Sequence, residues 1–175
     1  MAVSENDRID IVKMKEKALK DLAERVARLE AKEAILDILM QYAHLCDASD
    51  WEGVLSLCTD DIERVIGGTL DERVQGKESL RDRFLNPSLK RASDGATVSS
   101  YAVDKVYHMT AAPVIRISDD GNQAWSTQYF SIVSIKDTPD EFARGVHENT
   151  SIFTYVKQGE SWKIKRMVLI TNLAH

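Results

Sequence analysis

From Asp10 to Cys46 the chain has no glycine or proline and is mostly good helix formers, which predicts one long helix or two helices nearly in line. Within it Leu19, Leu22, Val26 and Leu29 recur at steps of three and four, a narrow stripe suited to a partner helix or to folding back onto the domain. From Ile35 the stripe broadens through Leu36, Ile38, Leu39, Tyr42, Leu45 and Cys46, which places the start of the core there. A short second helix is expected in "SDWEGVLSLC", with Ser49 and Glu52 spaced as a capping box. "IERVIGG" and "ERVQG", parted by "TLD", read as a β-hairpin. "KESLRDRFLNPSLKRA" returns to helical spacing at Leu80, Phe84 and Leu85, and Pro87 limits its length.

The second half changes period. "YHMTAAPVIRIS", "AWSTQYFSIVSIK", "FARGVHENTSIFTYVK" and "WKIKRMVLITNL" are rich in β-branched and aromatic residues and are separated by the turn compositions "DDGNQ", "DTPD" and "QGES". Four long antiparallel strands follow. Helices first and strands later predict an α+β fold, with helices laid on one face of a curved antiparallel sheet.

Length and charge narrow the function. A chain of 175 residues suits a single domain of ordinary size with a substantial core. A net charge of −5 with interspersed basic residues gives no basic face for nucleic acid, and no apolar run approaches the ~20 residues of a membrane span. The N-terminus lacks an apolar signal segment, so the expectation is a soluble cytoplasmic protein. Cys46 and Cys58 lie in apolar helical patterns without metal-ligand spacing and read as reduced packing residues.

The candidate chemistry is sparse. On a wheel at roughly 100° per residue with Ile35 at zero, Leu39, Tyr42 and Cys46 fall within about 40°, Asp47 at about 120° and His44 at about 180°. Tyr42 therefore faces the core, His44 faces solvent, and Asp47 sits at the margin. With Ser49 and Glu52 expected to cap the next helix, Asp47 is either a surface acid, poorly placed against the negative end of the helix dipole, or a chemical group. His108 alternates with Thr110 and Ala112 at the start of a strand that Pro113 must bulge or place at an edge. It is a structural histidine or a general base. His147 lies mid-strand and His175 at the end of the chain; the four histidines are too scattered for a metal site.

The segments "EAILDILMQYAHLCDASDWEGVLSLCTDDIERVIGG", "VQGKESLRDRF", "YHMTAAPVIRIS" with "DDGNQAWSTQYF", and "GESWKIKRMVLI" together resemble the SnoaL-like branch of the nuclear transport factor 2-like (cystatin-like) superfamily. The resemblance runs from about Leu29 to Leu173, and the division it implies is an N-terminal helical extension over 1–28 and the domain over 29–175. It implies a cone of helices on a strongly curved sheet around an apolar pocket. It also implies a cofactor-independent lyase or isomerase of the dehydratase kind, acting on a small hydrophobic or polycyclic substrate. In such enzymes an Asp–His dyad takes a substrate proton; here Asp47 matches the aspartate, His108 the histidine, and Tyr42 a tyrosine that reaches the substrate oxygen. Expected substrate contacts are His147, Trp125 and Arg144, although Arg144 is out of register with the branch's Gly-Arg-Tyr run and "TAAP" replaces its amide-bearing "TNP". The alternative is a non-catalytic ligand-binding or assembly subunit. Either is expected as a homodimer or homotrimer without metal or cofactor.

Overall fold

A computed structural model describes residues 5–67, 72–85, 105–138 and 141–171. The uninterrupted run of helix formers makes a single helix, α1 (Glu5–Asp47), followed by α2 (Trp51–Ser56), strands β1 (Cys58–Gly67) and β2 (Glu72–Gln75), helix α3 (Lys77–Leu85) and strands β3 (Lys105–Ile117), β4 (Gln123–Thr138), β5 (Glu141–Gln158) and β6 (Ser161–Thr171). Pro87 and His175 lie outside the described residues.

The strands form one open sheet in the order β2-β1-β6-β5-β4-β3, with α1 and α2 before β1 and α3 between β2 and β3 in sequence, and the fold is α+β as the pattern predicts. One pairing departs from the expected antiparallel sheet. β1 runs parallel to β6, which makes the sheet mixed. The strand also begins earlier than its apolar pattern suggests, because Cys58 and Thr59 are buried in the sheet and the Ile164 N–H bonds to the Leu57 carbonyl at 2.8 Å. Cys58 is therefore a strand residue, not a helical one.

The core lies between the α1–α3 layer and the inner face of the sheet. Ile35, Leu39 and Tyr42 of α1, Val54 and Leu55 of α2, and Leu80 and Phe84 of α3 pack with Phe130, Phe153, Tyr155, Ile164 and Met167. Leu85, expected on the buried side of α3, is exposed. Trp51 stacks on Phe84 at 4.8 Å, while Arg81 bonds Glu52 at 2.7 and 3.0 Å, so α2 and α3 are held by a ring stack and an ion pair. No helix among the described residues is long and apolar enough to cross a membrane.

The turn after Asp47 differs from the expected capping box. Ser49 adopts φ 54°, its N–H bonds the Cys46 carbonyl at 3.0 Å, and the Asp50 N–H bonds the Leu45 carbonyl at 2.9 Å. This pair of bonds is a Schellman closure of α1, with Ser49 in the left-handed position that glycine usually takes. Asp50 then caps α2, its carboxylate accepting from the Gly53 N–H at 2.9 Å. Ser49 is spent on ending α1, and Glu52 on Arg81.

Candidate active site

Asp47 is the last residue of α1, so the tight closure at Ser49 fixes where its carboxylate points. His108 comes from β3, an edge strand with one ladder of N–H groups unpaired by the sheet. Asp47 uses that free edge. Its Oδ1 accepts the His108 backbone N–H at 2.7 Å and lies 2.7 Å from His108 Nδ1. Both side chains are largely enclosed, at 25% and 13% exposure. An ionised carboxylate only accepts, so the proton at this contact sits on Nδ1 and the basic lone pair on Nε2.

The edge strand is also bulged. Pairing of β3 with β4 shifts register between Ala111 and Val114, and Ala112 takes φ 49° beside Pro113, which has no N–H to give. The bulge switches faces: His108 and Thr110 share the inner face, whereas beyond it Ile115 and Ile117 pack on the core and Val114 is exposed. Ile115 therefore joins the His108 face, contrary to simple alternation. Phe130 is the shared floor. Its ring lies 5.4 Å from the His108 ring and 6.2 Å from that of Tyr42, and Tyr42 meets Phe153 edge-on at 5.4 Å.

Tyr42 is buried, and its phenol is held well above its ordinary pKa, chiefly by burial and next by Cys46, with Arg64 pulling the other way. It is a protonated donor at neutral pH. Burial also pushes both cysteine thiols up to about 12, which leaves neither available as a thiolate nucleophile.

The other expected contacts are placed differently. On β5 His147 pairs with Ile132, which pairs on its other side with His108, so the backbone carries His147 to the row of the pair, two strands away. Arg144 pairs with Ile135, three positions along the strand from His147. Trp125 is not brought to Asp47 and His108. It falls on the opposite parity to buried Ser126, and lines a groove of about 380 Å³ with Arg25, Arg28, Leu29, Lys32, Ile115, Arg116 and Ile117. Seven steps along β4 separate it from Ile132, roughly 23 Å at strand rise. His44 is exposed, as the wheel predicts.

Polar residues that the sequence reading passed over occupy the inner face. Gln128 is 2% exposed, and neither its carboxamide oxygen nor its nitrogen has a hydrogen-bond partner. Ser151, directly opposite on β5, and Thr110, two residues from His108, likewise have unpartnered hydroxyls. Arg64 shares the parity of Ile62 and Ile66 on β1, lies 5.9 Å over the Phe84 ring and 3.5 Å from Glu72, and keeps a buried Nε without a partner. The signal for each was a polar residue at an apolar parity, as in "AWSTQYF" and "IERVIGG".

Comparison with known proteins agrees with this architecture. A nuclear transport factor 2-like protein with a cystatin-like fold from Novosphingobium aromaticivorans superposes with a TM-score of 0.67 at 18% identity, covering 90% of this chain and 92% of that one. A putative scytalone dehydratase from the same organism gives 0.62 at 18% identity, over 83% and 86% of the two chains. A type 2 hexachlorocyclohexane dehydrochlorinase gives 0.66 at 15% identity, over 85% and 90%. At these identities the likeness is one of fold. No curated protein matches the chain in sequence. The model of the SnoaL-like domain family, however, matches residues 27–168, from the middle of α1 into β6 and across both Asp47 and His108, and the chain belongs to that family.

Proposed function

We propose that the protein is a cofactor-independent lyase or isomerase that removes a proton next to a carbonyl of a small, largely hydrophobic substrate. The observation that carries this is the double contact of Asp47 Oδ1 with the His108 N–H and Nδ1, which aims a basic Nε2 away from the carboxylate. His108 takes the proton from carbon; the C–H electron pair moves into the new double bond, and charge builds on the carbonyl oxygen. In an elimination the leaving group on the neighbouring carbon departs and the imidazolium returns the proton to it. In an isomerisation the proton is returned to carbon instead. Asp47, with the negative end of α1 beside it, stabilises the imidazolium, and Tyr42 is assigned to donate to the developing oxyanion.

The unpartnered inner-face groups describe the substrate's other end. Leaving a buried polar group unbonded costs about 1–3 kcal/mol, so Gln128, Ser151 and Thr110 are best explained by a ligand carrying a carbonyl or hydroxyl among its apolar atoms. Gln128→Leu is expected to raise the melting temperature by about 2–6 °C while weakening ligand binding about tenfold. Thermal unfolding and calorimetric titration of the same variant read both. A drop in melting temperature with binding intact would remove Gln128 from the site.

Similarity to a dehydrochlorinase and a putative dehydratase supports the reaction class. The direct test is a panel of cyclic ketones, β-hydroxyketones, steroids and phenolics incubated with the protein in D₂O and followed by NMR. Catalysed deuterium uptake at an α-carbon, or loss of water or halide, is the expected result; absence of exchange and of binding across the panel overturns it. We place the protein in the cytoplasm as a homo-oligomer without nucleic-acid or membrane partners. The exposed apolar stripe of α1, Leu19, Leu22, Val26 and Leu29, supports the assembly.

A further inference from the structure

We propose that the N-terminal part of α1 forms a parallel two-stranded coiled coil with the same helix of a second copy of this chain. In a heptad register Val12, Leu19, Val26 and Glu33 take the a positions, and Lys15, Leu22, Leu29 and Leu36 the d positions. The apolar members are all exposed, from 39% at Leu36 to 66% at Leu19. The stripe lies about 140° around α1 from the face that Ile35, Leu39 and Tyr42 bury, so a partner approaches on the side turned from the core, with Leu29 at the rim of the groove that α1 shares with Ile115 and Trp125. Val12 to Leu36 spans about 36 Å, or some three and a half heptads, which is within the length that sustains a coiled coil. Valine at two a positions with leucine at three d positions favours two strands.

Charge selects the partner and its direction. The flanking g positions hold Arg25 and Lys32, and the e positions hold Glu16, Glu30 and Asp37. In a parallel pair each g residue meets the e residue five positions on, giving Arg25 with Glu30 of the partner subunit and Lys32 with Asp37 of the partner subunit, each twice by symmetry. An antiparallel pair would set the basic row against itself and the acidic row against itself. Arg25, Glu30, Lys32 and Asp37 are exposed and have no ion-pair partner in their own chain among the described residues. Arg25 and Lys32 share their groove with Arg28 and Arg116, where Asp119 meets Arg28 at 3.3 Å, so positive charge is gathered on the side that an acidic row would meet. Ala18 and Ala23 occupy the remaining g and e positions of the middle heptad and leave the seam open.

Two experiments on the full chain test this. In sedimentation equilibrium, Arg25→Glu and Glu30→Arg are each expected to raise the self-dissociation constant about tenfold, because two attractive pairs per dimer become repulsive. An equimolar mixture of the two variants restores wild-type affinity, since every pair is again opposite in sign. Separately, Leu29→Cys, oxidised with diamide, is expected to cross-link two copies, as in-register d positions face each other only in the parallel arrangement. Cys46 and Cys58 are buried and do not compete. A chain whose helix folds back, or a dimer built through the sheet, leaves Leu29→Cys uncross-linked and self-association indifferent to both charge reversals, and either result overturns the proposal.

Discussion

Replacing His108 with alanine is expected to lower kcat/KM by about 10³–10⁴, and Asp47→Asn by about 10²–10³, in the deuterium-exchange or elimination assay. The ranking follows from the geometry. His108→Ala removes the group proposed to accept the proton, whereas Asp47→Asn keeps an oxygen at Oδ1 for the His108 N–H and ring N–H. What asparagine lacks is the negative charge that stabilises the imidazolium as it forms. The two residues act through one proton, so their effects are not additive, and the double variant is expected within severalfold of His108→Ala alone. Asp47→Asn also preserves the contact that ties the end of α1 to the edge of the sheet, so its melting temperature is expected to stay within a few degrees of wild type. Wild-type rates in both single variants would end the enzyme reading; a fully additive double variant would end the reading of the pair as a unit.

Much of this site was legible in the sequence. The absence of glycine and proline from Asp10 to Cys46 predicted one long helix or two nearly in line, of which the structure has the first, and its wheel put Tyr42 inside and Asp47 at the margin, where the structure has them. What escaped were features set by tertiary pairing. A parallel β1–β6 contact leaves no local trace, because the two strands are about a hundred residues apart and each alternates as an antiparallel strand would. The Schellman closure was hidden because serine, not glycine, holds the left-handed position. Pro113 announced a bulge, but not that Ile115 would move to the His108 face. Trp125 was assigned to the substrate and stands instead beside α1, a distance that parity alone could not reveal. Gln128, Ser151 and Arg64 break the apolar parity of their strands, and that exception was the overlooked sign of the unpartnered polar atoms on the inner face.

Phe153→Ala is expected to cost about 3–5 kcal/mol, a third or more of the stability of an ordinary domain, and to lower the melting temperature by about 10 °C or more. Phe153 has no exposed surface, sits on a strand paired on both sides between Ser126 and Met167, and has Tyr42 edge-on at 5.4 Å and Tyr155 at 6.4 Å. Neither neighbour can readily close the cavity. Tyr155 is tethered by its hydroxyl to Ser126 Oγ at 2.9 Å, and Tyr42 belongs to the same rigid helix that presents Asp47. Phe153→Leu, which keeps most of the volume, should cost less than about 1.5 kcal/mol. Activity separates packing from chemistry: below its own melting transition, Phe153→Ala keeps the Asp47–His108 contact and loses only the seat of Tyr42, so its rate should fall far less than that of His108→Ala. Chemical denaturation gives the stability and the exchange assay gives the rate. A Phe153→Ala protein as stable as wild type would mean that α1 is held over the sheet by contacts other than Tyr42 on Phe153, and the account of what positions Asp47 would have to move to the edge contact with His108.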